Sequence, residues 1–285
     1  MISVSLLASA SNSLVSNDKP LVVLVTGGTR GIGAAIAAQL QKQGYRVYVT
    51  RRGQLETVRS GGPQLLSLDV TSAASVEACV RELLRREGRI DVLVNNAGYD
   101  LYGAVLETQW QELMDQLDTN FLGAARMIQA VLPHMLERRM GRIINISSMG
   151  GEVALPMNAA YSASKFALEG YTESLRQELL PLGLYACTIS PSPVATDTLD
   201  QSIREVSAAE NPFAQRRAEL VSRMRREGPA SRTRPEHVAS AVAQAVRARI
   251  PAPRYRVGAM ARWIPRLKGW LPDSLFERLM RRAFP

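Results

Sequence analysis

The stretch that most restricts the fold of this chain runs from Leu21 to Gly33. Leu21-Val-Val-Leu-Val25 is wholly apolar, as a strand buried on both faces of a parallel sheet requires. A turn follows with glycine at 27, 31 and 33, and then a helical run over 34–43. There Ala34, Ala35, Ala37 and Ala38 allow close packing on a sheet, and Gly44 ends the run. Glycines between a strand and a helix let the backbone turn tightly and approach a pyrophosphate. The helix start adds unbonded N–H groups and a positive dipole end. The stretch therefore reads as a dinucleotide loop at the head of an α/β fold.

The rest of the chain continues that alternation. Apolar runs predict strands over 45–50, 65–68, 90–95, 141–147 and 184–190. Helical patterns fill 73–87, about 108–138 and 158–180 between them. Strands alternating with helices imply a Rossmann-type, doubly wound parallel sheet in a single domain, taken as 20–257. After Pro193 the pattern loosens. Residues 197–235 read as polar and irregular, broken by Pro212 and Pro229. A further helix over 235–249 and a short edge strand over 254–257 close the domain. Residues 1–19 lack the basic residues that open a signal peptide and read as a disordered tail.

Charge and cysteine content narrow the class. The net charge of +9 is concentrated in residues 216–285, which hold 17 Lys or Arg against 5 Asp or Glu. Either an acidic partner or anionic membrane surface, or merely a solvated arginine-rich face, accounts for that. Nucleic acid is not expected as a partner. Two cysteines, Cys79 and Cys187, imply no disulfide framework and fit a reducing, cytoplasmic compartment. The two histidines, His134 and His237, sit near neither a cysteine nor each other. Zinc, any other metal and a histidine-based nucleophile are not expected. No apolar run approaches the ~20 residues of a membrane span.

Two short patterns carry chemistry. Tyr161 and Lys165 are four apart, which on a helix stacks them on one face. An ammonium beside a phenol favours the phenolate and lowers its pKa toward neutrality. Ser147 or Ser148 offers a hydroxyl to hold a carbonyl oxygen. Alone, a Tyr-x-x-x-Lys pair is an ordinary helical turn; the dinucleotide loop upstream gives it meaning. The cofactor follows from the second strand. An NAD enzyme of this fold ends that strand in Asp or Glu, for the ribose hydroxyl. Here it ends Val49-Thr-Arg-Arg52, and Arg30 adds a cation in the glycine loop. Guanidinium groups at Arg30, Arg51 and Arg52 suit the 2′-phosphate of NADP.

With these residues in view, the chain resembles the short-chain dehydrogenase/reductase family. The matching pieces are Thr26-Gly-Gly-Thr-Arg-Gly-Ile-Gly33, Asp69-Val70, Asn95-Asn-Ala-Gly98, Asn120, Ser147-Ser148, Tyr161-Ser-Ala-Ser-Lys165 and Pro191-Ser-Pro-Val-Ala-Thr196. They keep the family's order and spacing over about residues 20–200. The run from Tyr161 to Gly170 resembles the retinol and 17β-hydroxysteroid dehydrogenase branch more narrowly. The resemblance implies a cofactor set of Gly27, Thr29, Arg30, Gly31, Ile32, Gly33, Arg51 and Arg52 around the first two strands. It adds Asp69 and Val70 at the adenine, Asn96, Ala97 and Gly98 at the ribose side, and Pro191, Val194 and Thr196 at the nicotinamide. Asn95 serves equally well as a tie between strands.

For catalysis the resemblance implies that Ser148, thirteen before Tyr161, orients the substrate oxygen. Tyr161 is then the acid/base. Lys165 binds the nicotinamide ribose and tunes Tyr161, and Asn120 holds a water that links Lys165 to solvent. Pro191-Ser192 departs from the family's Pro-Gly, which puts the loop shape there in question. The apolar residues Met149, Val153, Leu155, Pro156 and Met157, with Tyr102, line a substrate side suited to a lipophilic alcohol or carbonyl, or else pack the domain or meet a partner subunit. A steroid-, retinoid- or lipid-like substrate is the leading expectation, with a homodimer or homotetramer as the assembly. A 3-oxoacyl-thioester reductase and a non-catalytic NADP sensor or scaffold are the alternatives. In the tail, 258–285, Trp263, Leu267, Trp270, Leu271, Leu275, Phe276, Leu279 and Met280 fall at helical spacing beside basic residues. That pattern predicts amphipathic helices that close the substrate cleft and touch anionic lipid.

Overall fold

The structure, a computed structural model, describes residues 19–53, 62–195, 203–206, 211–226 and 233–283. The N-terminal tail expected over 1–19 lies almost wholly outside them. In the core, strand β1 (Val22–Val25), helix α1 (Gly31–Lys42), β2 (Arg46–Arg51), β3 (Gln64–Ser67), α2 (Ala73–Glu87) and β4 (Val92–Asn95) follow in turn. Then come β5 (Asp100–Tyr102), α3 (Trp110–Leu117), α4 (Gly123–Glu137), β6 (Arg142–Ile146), α5 (Ala159–Leu179) and β7 (Tyr185–Pro191). The last elements are β8 (Ile203–Glu205), α6 (Ala214–Arg226), α7 (Pro235–Arg247), β9 (Arg254–Val257), α8 (Ala259–Trp270) and α9 (Asp273–Ala283).

Seven strands pair in parallel in the order β3-β2-β1-β4-β6-β7-β9. Side-chain alternation sends the two sets of strand residues to opposite layers. Val23, Val25, Val47, Val49, Val92 and Val94 pack with α1 and α7 through Ile36, Leu40, Val238 and Val242. Val22, Leu24, Tyr48, Leu66 and Leu93 pack with α2, α4 and α5 through Leu83, Met127, Val131 and Leu175. Both faces are thus dry, which is why these strands read as continuous apolar runs.

Helix α5 departs from an apolar interior. Its buried face carries Lys165, Glu169, Thr172 and Arg176, near-helical repeats pointing at the sheet. Lys165 Nζ donates to the Ile146 carbonyl at 2.8 Å. Glu169 accepts from Thr188 at 3.0 Å, Ser190 at 2.9 Å and Arg254 at 2.8 Å. Thr172 accepts from Asn145 at 2.8 Å, and Arg176 donates to the carbonyls of Ala186 and Pro251. Each bond satisfies a group that burial would otherwise penalise.

Three parts of the chain differ from expectation. The helix expected over 108–138 is α3 and α4 joined by a π-turn, Asp118–Leu122. The turn brings Asn120 inward, where its Nδ2 donates to the Tyr99 carbonyl and Ser164 Oγ and its Oδ1 accepts from Tyr99 N–H. The region read as irregular, 197–235, contains β8 and α6. Strand β8 pairs in parallel with β5 in a second, two-stranded sheet. Helix α6 is held by an ion pair from Arg217 to buried Glu107 and by Val221 against Tyr102. Three-residue strands show no alternation, and α6 is too arginine-rich to look amphipathic. In the tail, α8 and α9 leave Trp263, Leu267, Trp270, Leu275 and Leu279 exposed. Among the described residues no helix is long and apolar enough to cross a membrane.

The Glu169 cluster yields a stability test. Arg254→Ala strands a buried carboxylate between two hydroxyls. It should cost about 2–3 kcal/mol, below the value for a fully buried pair because the Arg254 side chain keeps 28% of its exposure. An unchanged denaturant midpoint would show that Arg254 does not hold this helix to the sheet.

Candidate active site

Strand β1 lies between β2 and β4, so the chain leaves its carboxyl end in opposite directions on the two sides. A crevice opens there by topology. It is a cleft of about 730 Å³. At its floor the β1–α1 turn takes conformations that favour glycine, with Gly27 at φ +62° and Gly31 at φ +52°. A Cβ on Gly33 would stand 2.4 Å from the Gly27 carbonyl oxygen and 2.6 Å from Asn96 Nδ2. The loop is therefore drawn as tightly onto the helix as backbone permits. Helix α1 begins with neither a side-chain cap nor an acid in its first turn. Its positive end is left for an anion. Thr26 Oγ1 accepts from the N–H groups of Asn96 and Ala97, and Asn96 Nδ2 donates to the Thr26 and Gly27 carbonyls. The Asn96-Ala97-Gly98 segment is thereby fastened to the glycine loop. This arrangement fits a dinucleotide.

Thr29, Arg30, Gly31, Ile32, Arg51, Arg52, Asp69 and Val70 line one end of the cleft. The Asp69 carboxyl sits below its ordinary pKa: burial opposes its charge, but bonds from Thr71 and the nearby Arg52 outweigh that. Pro191 and Val194 line the far side, while Thr196 lies outside the described residues. Ser192 has no positive φ. Its hydroxyl accepts from Ala261 N–H at 2.9 Å, at the start of α8. The departure from Pro-Gly thus anchors the tail helix to the cleft wall.

The reactive end is built by α5, the turn after β6 and the start of β5. Ser148, Tyr161 and Lys165 converge there. Ser148 Oγ accepts from Gly150 N–H at 3.0 Å, and the Tyr161 ring lies on the same side of Gly150. Ser147 instead faces inward, with its buried Oγ lacking a protein partner. Asp100, at the head of β5, lines the same end of the cleft, and its charge acts on Tyr161. This carboxylate was missed in the sequence, where its one signal is an acid two residues beyond Asn95-Asn-Ala-Gly98.

The electrostatics correct one expectation. Lys165 does not depress the Tyr161 phenol. Its Nζ lies 5.7 Å from the ring centroid and is committed to the Ile146 carbonyl. Burial, followed by the Asp100 charge, raises Tyr161 well above its ordinary value, against a smaller opposing effect of Ser148. Burial lowers Lys165 to about 8, with Asp100 and Glu169 resisting. Burial also pushes Asp100 up to about 6, against Lys165 and Tyr161. Tyr161 therefore holds its proton at neutral pH.

Not every residue expected at the site reaches it. Met149, Leu155 and Tyr102 line the cleft; Val153, Pro156 and Met157 do not. Val153 is buried against the turn, its N–H bonded to the Met149 carbonyl. Met157 adopts φ +57°, and its carbonyl accepts from Gly103 N–H. The Asn120 side chain is occupied in holding Tyr99 and does not line the cleft. Asn95 is a strand tie, donating to Asn145 at 2.9 Å. No described residue of 258–283 lines the cleft, so the tail is not a lid here. Helix α8 meets the cleft wall from behind, through Ser192 and through Lys268, which donates to the Glu152 carbonyl.

A parallel sheet with such a cleft at its switch point is the architecture of a dinucleotide-binding protein, and comparison with known proteins gives its family. Residues 21–207 match the short chain dehydrogenase family model. A 3-ketodihydrosphingosine reductase of Bacteroides thetaiotaomicron is 35% identical over 92% of this chain and 97% of its own length. Human 17-beta-hydroxysteroid dehydrogenase type 1 is 37% identical over 88% and 81%. An actinorhodin polyketide ketoreductase solved with NADPH superposes with a TM-score of 0.72 at 33% identity, covering 85% of this chain and 97% of that one. The chain belongs to the short-chain dehydrogenase/reductase family, whose members named here act on CH–OH or ketone groups.

The raised Asp100 pKa makes a pH prediction. Between about pH 4 and pH 6 the folded chain keeps a proton that the unfolded chain, with an ordinary carboxyl near 4, has released. Asp100 therefore takes stability away as pH rises through that window. Asp100→Asn should gain stability relative to the parent between pH 4.5 and pH 6.5. A difference in denaturant midpoint that does not change with pH would contradict the assigned charge state.

Proposed function

We propose that the chain is an NADPH-dependent reductase of lipophilic carbonyl compounds, steroid-, retinoid- or lipid-like. The observation that carries this reading is one cleft lined by Ser148, Tyr161 and Lys165 at one end and by Arg30, Arg51 and Arg52 at the other. The acid expected for NAD at the end of β2 is absent, and three guanidinium groups suit a 2′-phosphate. Met149, Leu155 and Tyr102 give the substrate side an apolar wall.

When bound, NADPH supplies the hydride. The chain does the rest. Gly27, Gly31 and Gly33 would hold the pyrophosphate through backbone N–H groups, and Asn96, Ala97 and Gly98 would hold the ribose side. Ser148 donates to the substrate carbonyl oxygen. Tyr161 gives its proton to that oxygen as it becomes an alkoxide, and a phenol that keeps its proton at neutral pH suits this direction. Lys165, fixed by the Ile146 carbonyl, contributes positive charge behind the phenol. Alcohol oxidation reverses these transfers.

Tyr161→Phe should keep NADPH binding and lose turnover by about 10²–10⁴-fold, since only the proton-bearing hydroxyl goes. Near-normal NADPH oxidation with a lipophilic ketone would refute the role. Replacing Arg51 and Arg52 with serine should raise KM for NADPH about tenfold more than for NADH. Equal use of both cofactors by the unaltered chain would contradict the NADP assignment.

A further inference from the structure

Helix α8 turns its apolar stripe away from the domain. Ala261 is fully buried, and its N–H donates to the Ser192 hydroxyl at 2.9 Å. Trp263 follows about 200° further round the helix, on the opposite side. Met260, Trp263, Leu267 and Trp270 recur at helical spacing and form one stripe. Trp263 and Trp270 are 57% and 72% exposed. In α9, Leu275 and Leu279 lie one turn apart and are exposed as well. Tryptophan and leucine left in water on two consecutive helices make an apolar surface with no cover from the domain.

The rim of that surface is cationic. Residues 258–283 carry Arg262, Arg266, Lys268, Arg278, Arg281 and Arg282 against Asp273 and Glu277. Arg281 pairs with Glu277, and Lys268 donates to the Glu152 carbonyl. Among the described residues, Arg262, Arg266, Arg278 and Arg282 pair with no carboxylate. Arg266 stands over the Trp263 ring at 5.7 Å, so a guanidinium borders the stripe itself. On α9, Leu275, Arg278, Leu279 and Arg282 follow the spacing of one helical face. Apolar groups and unpaired positive charge therefore share one exposed surface.

We infer that α8 and α9 form a docking surface for a membrane that carries anionic lipid. A bilayer supplies both things this surface lacks, an apolar cover and a counter-charge. Tryptophan suits the headgroup level, with its ring against the acyl chains and its N–H in the wet layer. Arginine there meets lipid phosphate or carboxylate. The helices have 12 and 11 residues, so they lie in the interface and do not span the ~20-residue apolar core. A second copy seated on the same face would set these arginines against their own equivalents, and like charge opposes that cover. Helix α8 is fastened at Ser192, which lines the cleft, and at Glu152. Docking would thus hold the cleft wall about one helix diameter, ~10 Å, from the lipid. The inference does not depend on the reductase reading.

The test uses the full chain and two sets of vesicles, phosphatidylcholine alone and phosphatidylcholine with phosphatidylserine. At low salt the chain should sediment with the serine-containing vesicles and not with the others, and rising salt should release it. Trp263→Ala with Trp270→Ala should weaken binding by about tenfold or more. Arg278→Gln with Arg282→Gln should weaken it by about tenfold. All four side chains are exposed, so both variants should keep the parent's unfolding midpoint. Fluorescence gives a readout without those variants. In Trp110→Phe, Trp263 and Trp270 are the remaining tryptophans, and their emission should move to the blue on the anionic vesicles alone. A chain that ignores those vesicles at low salt overturns the inference. Equal binding to both vesicle sets, or binding unchanged in either variant, overturns it as well. Self-association that moves the emission to the blue without lipid assigns the face to a second copy and also overturns it.

Discussion

The reactive end of this protein depends on a polar seam between helix α5 and the strands beneath it. Lys165, Glu169, Thr172 and Arg176 occupy the face where a helix on a parallel sheet normally places leucine or valine. An apolar face tolerates small slides and rotations, because dispersion contacts are non-directional. Directional bonds to Ile146, Thr188, Ser190, Asn145 and Ala186 do not. The seam therefore fixes both the rotation and the height of α5. Tyr161 lies one turn before Lys165, so its hydroxyl inherits that placement. The cost of burying these charges is offset by full hydrogen bonding and by Arg254 from the edge strand.

The same economy of burial sets the chemistry. In water an ammonium near a phenol favours phenolate. In this cleft desolvation acts on all three groups, and each is pushed toward its neutral form: Tyr161 up, Asp100 up and Lys165 down. Desolvation wins because Lys165 spends its hydrogen bonding on the main chain instead of the phenol. What results is a proton held at Tyr161, with the Asp100 carboxyl on the same wall pushed up to about 6 by burial. The positive end of α1 and the arginines of the β2 end lie at the opposite side of the cleft, so anion binding and proton donation occupy separate regions.

Much of this was legible in the chain itself. Leu21 to Gly33 specified strand, turn and helix, because a strand dry on both faces and a glycine-only turn leave few alternatives. Helix α2 and strand β9 took the expected bounds, since each is closed by clear end signals. Other features depend on distant partners and left no local signal. Strand β5 exists only because β8 comes to lie beside it from a hundred residues away. Asn120 looked like a break in a long helix and is a π-turn tying down Tyr99. Val153 and Met157 had the right residue types for a substrate wall, but chain direction turned one inward and spent the other on a backbone bond. Asp100 was a single acid in a loop. Its meaning comes only from the cleft wall it shares with Tyr161, where its charge acts on the phenol.

Hydride transfer to a lipophilic carbonyl, with the proton drawn from Tyr161, is the central claim. The direct measurement follows the hydride. The full chain is incubated with a long-chain ketone and, in separate reactions, NADPH deuterated on either face of the nicotinamide C4, and the product alcohol is read by mass spectrometry. One deuterium at the former carbonyl carbon, from one cofactor face alone, is the expected result. NADPH that binds tightly yet delivers no deuterium to any lipophilic ketone would contradict the account.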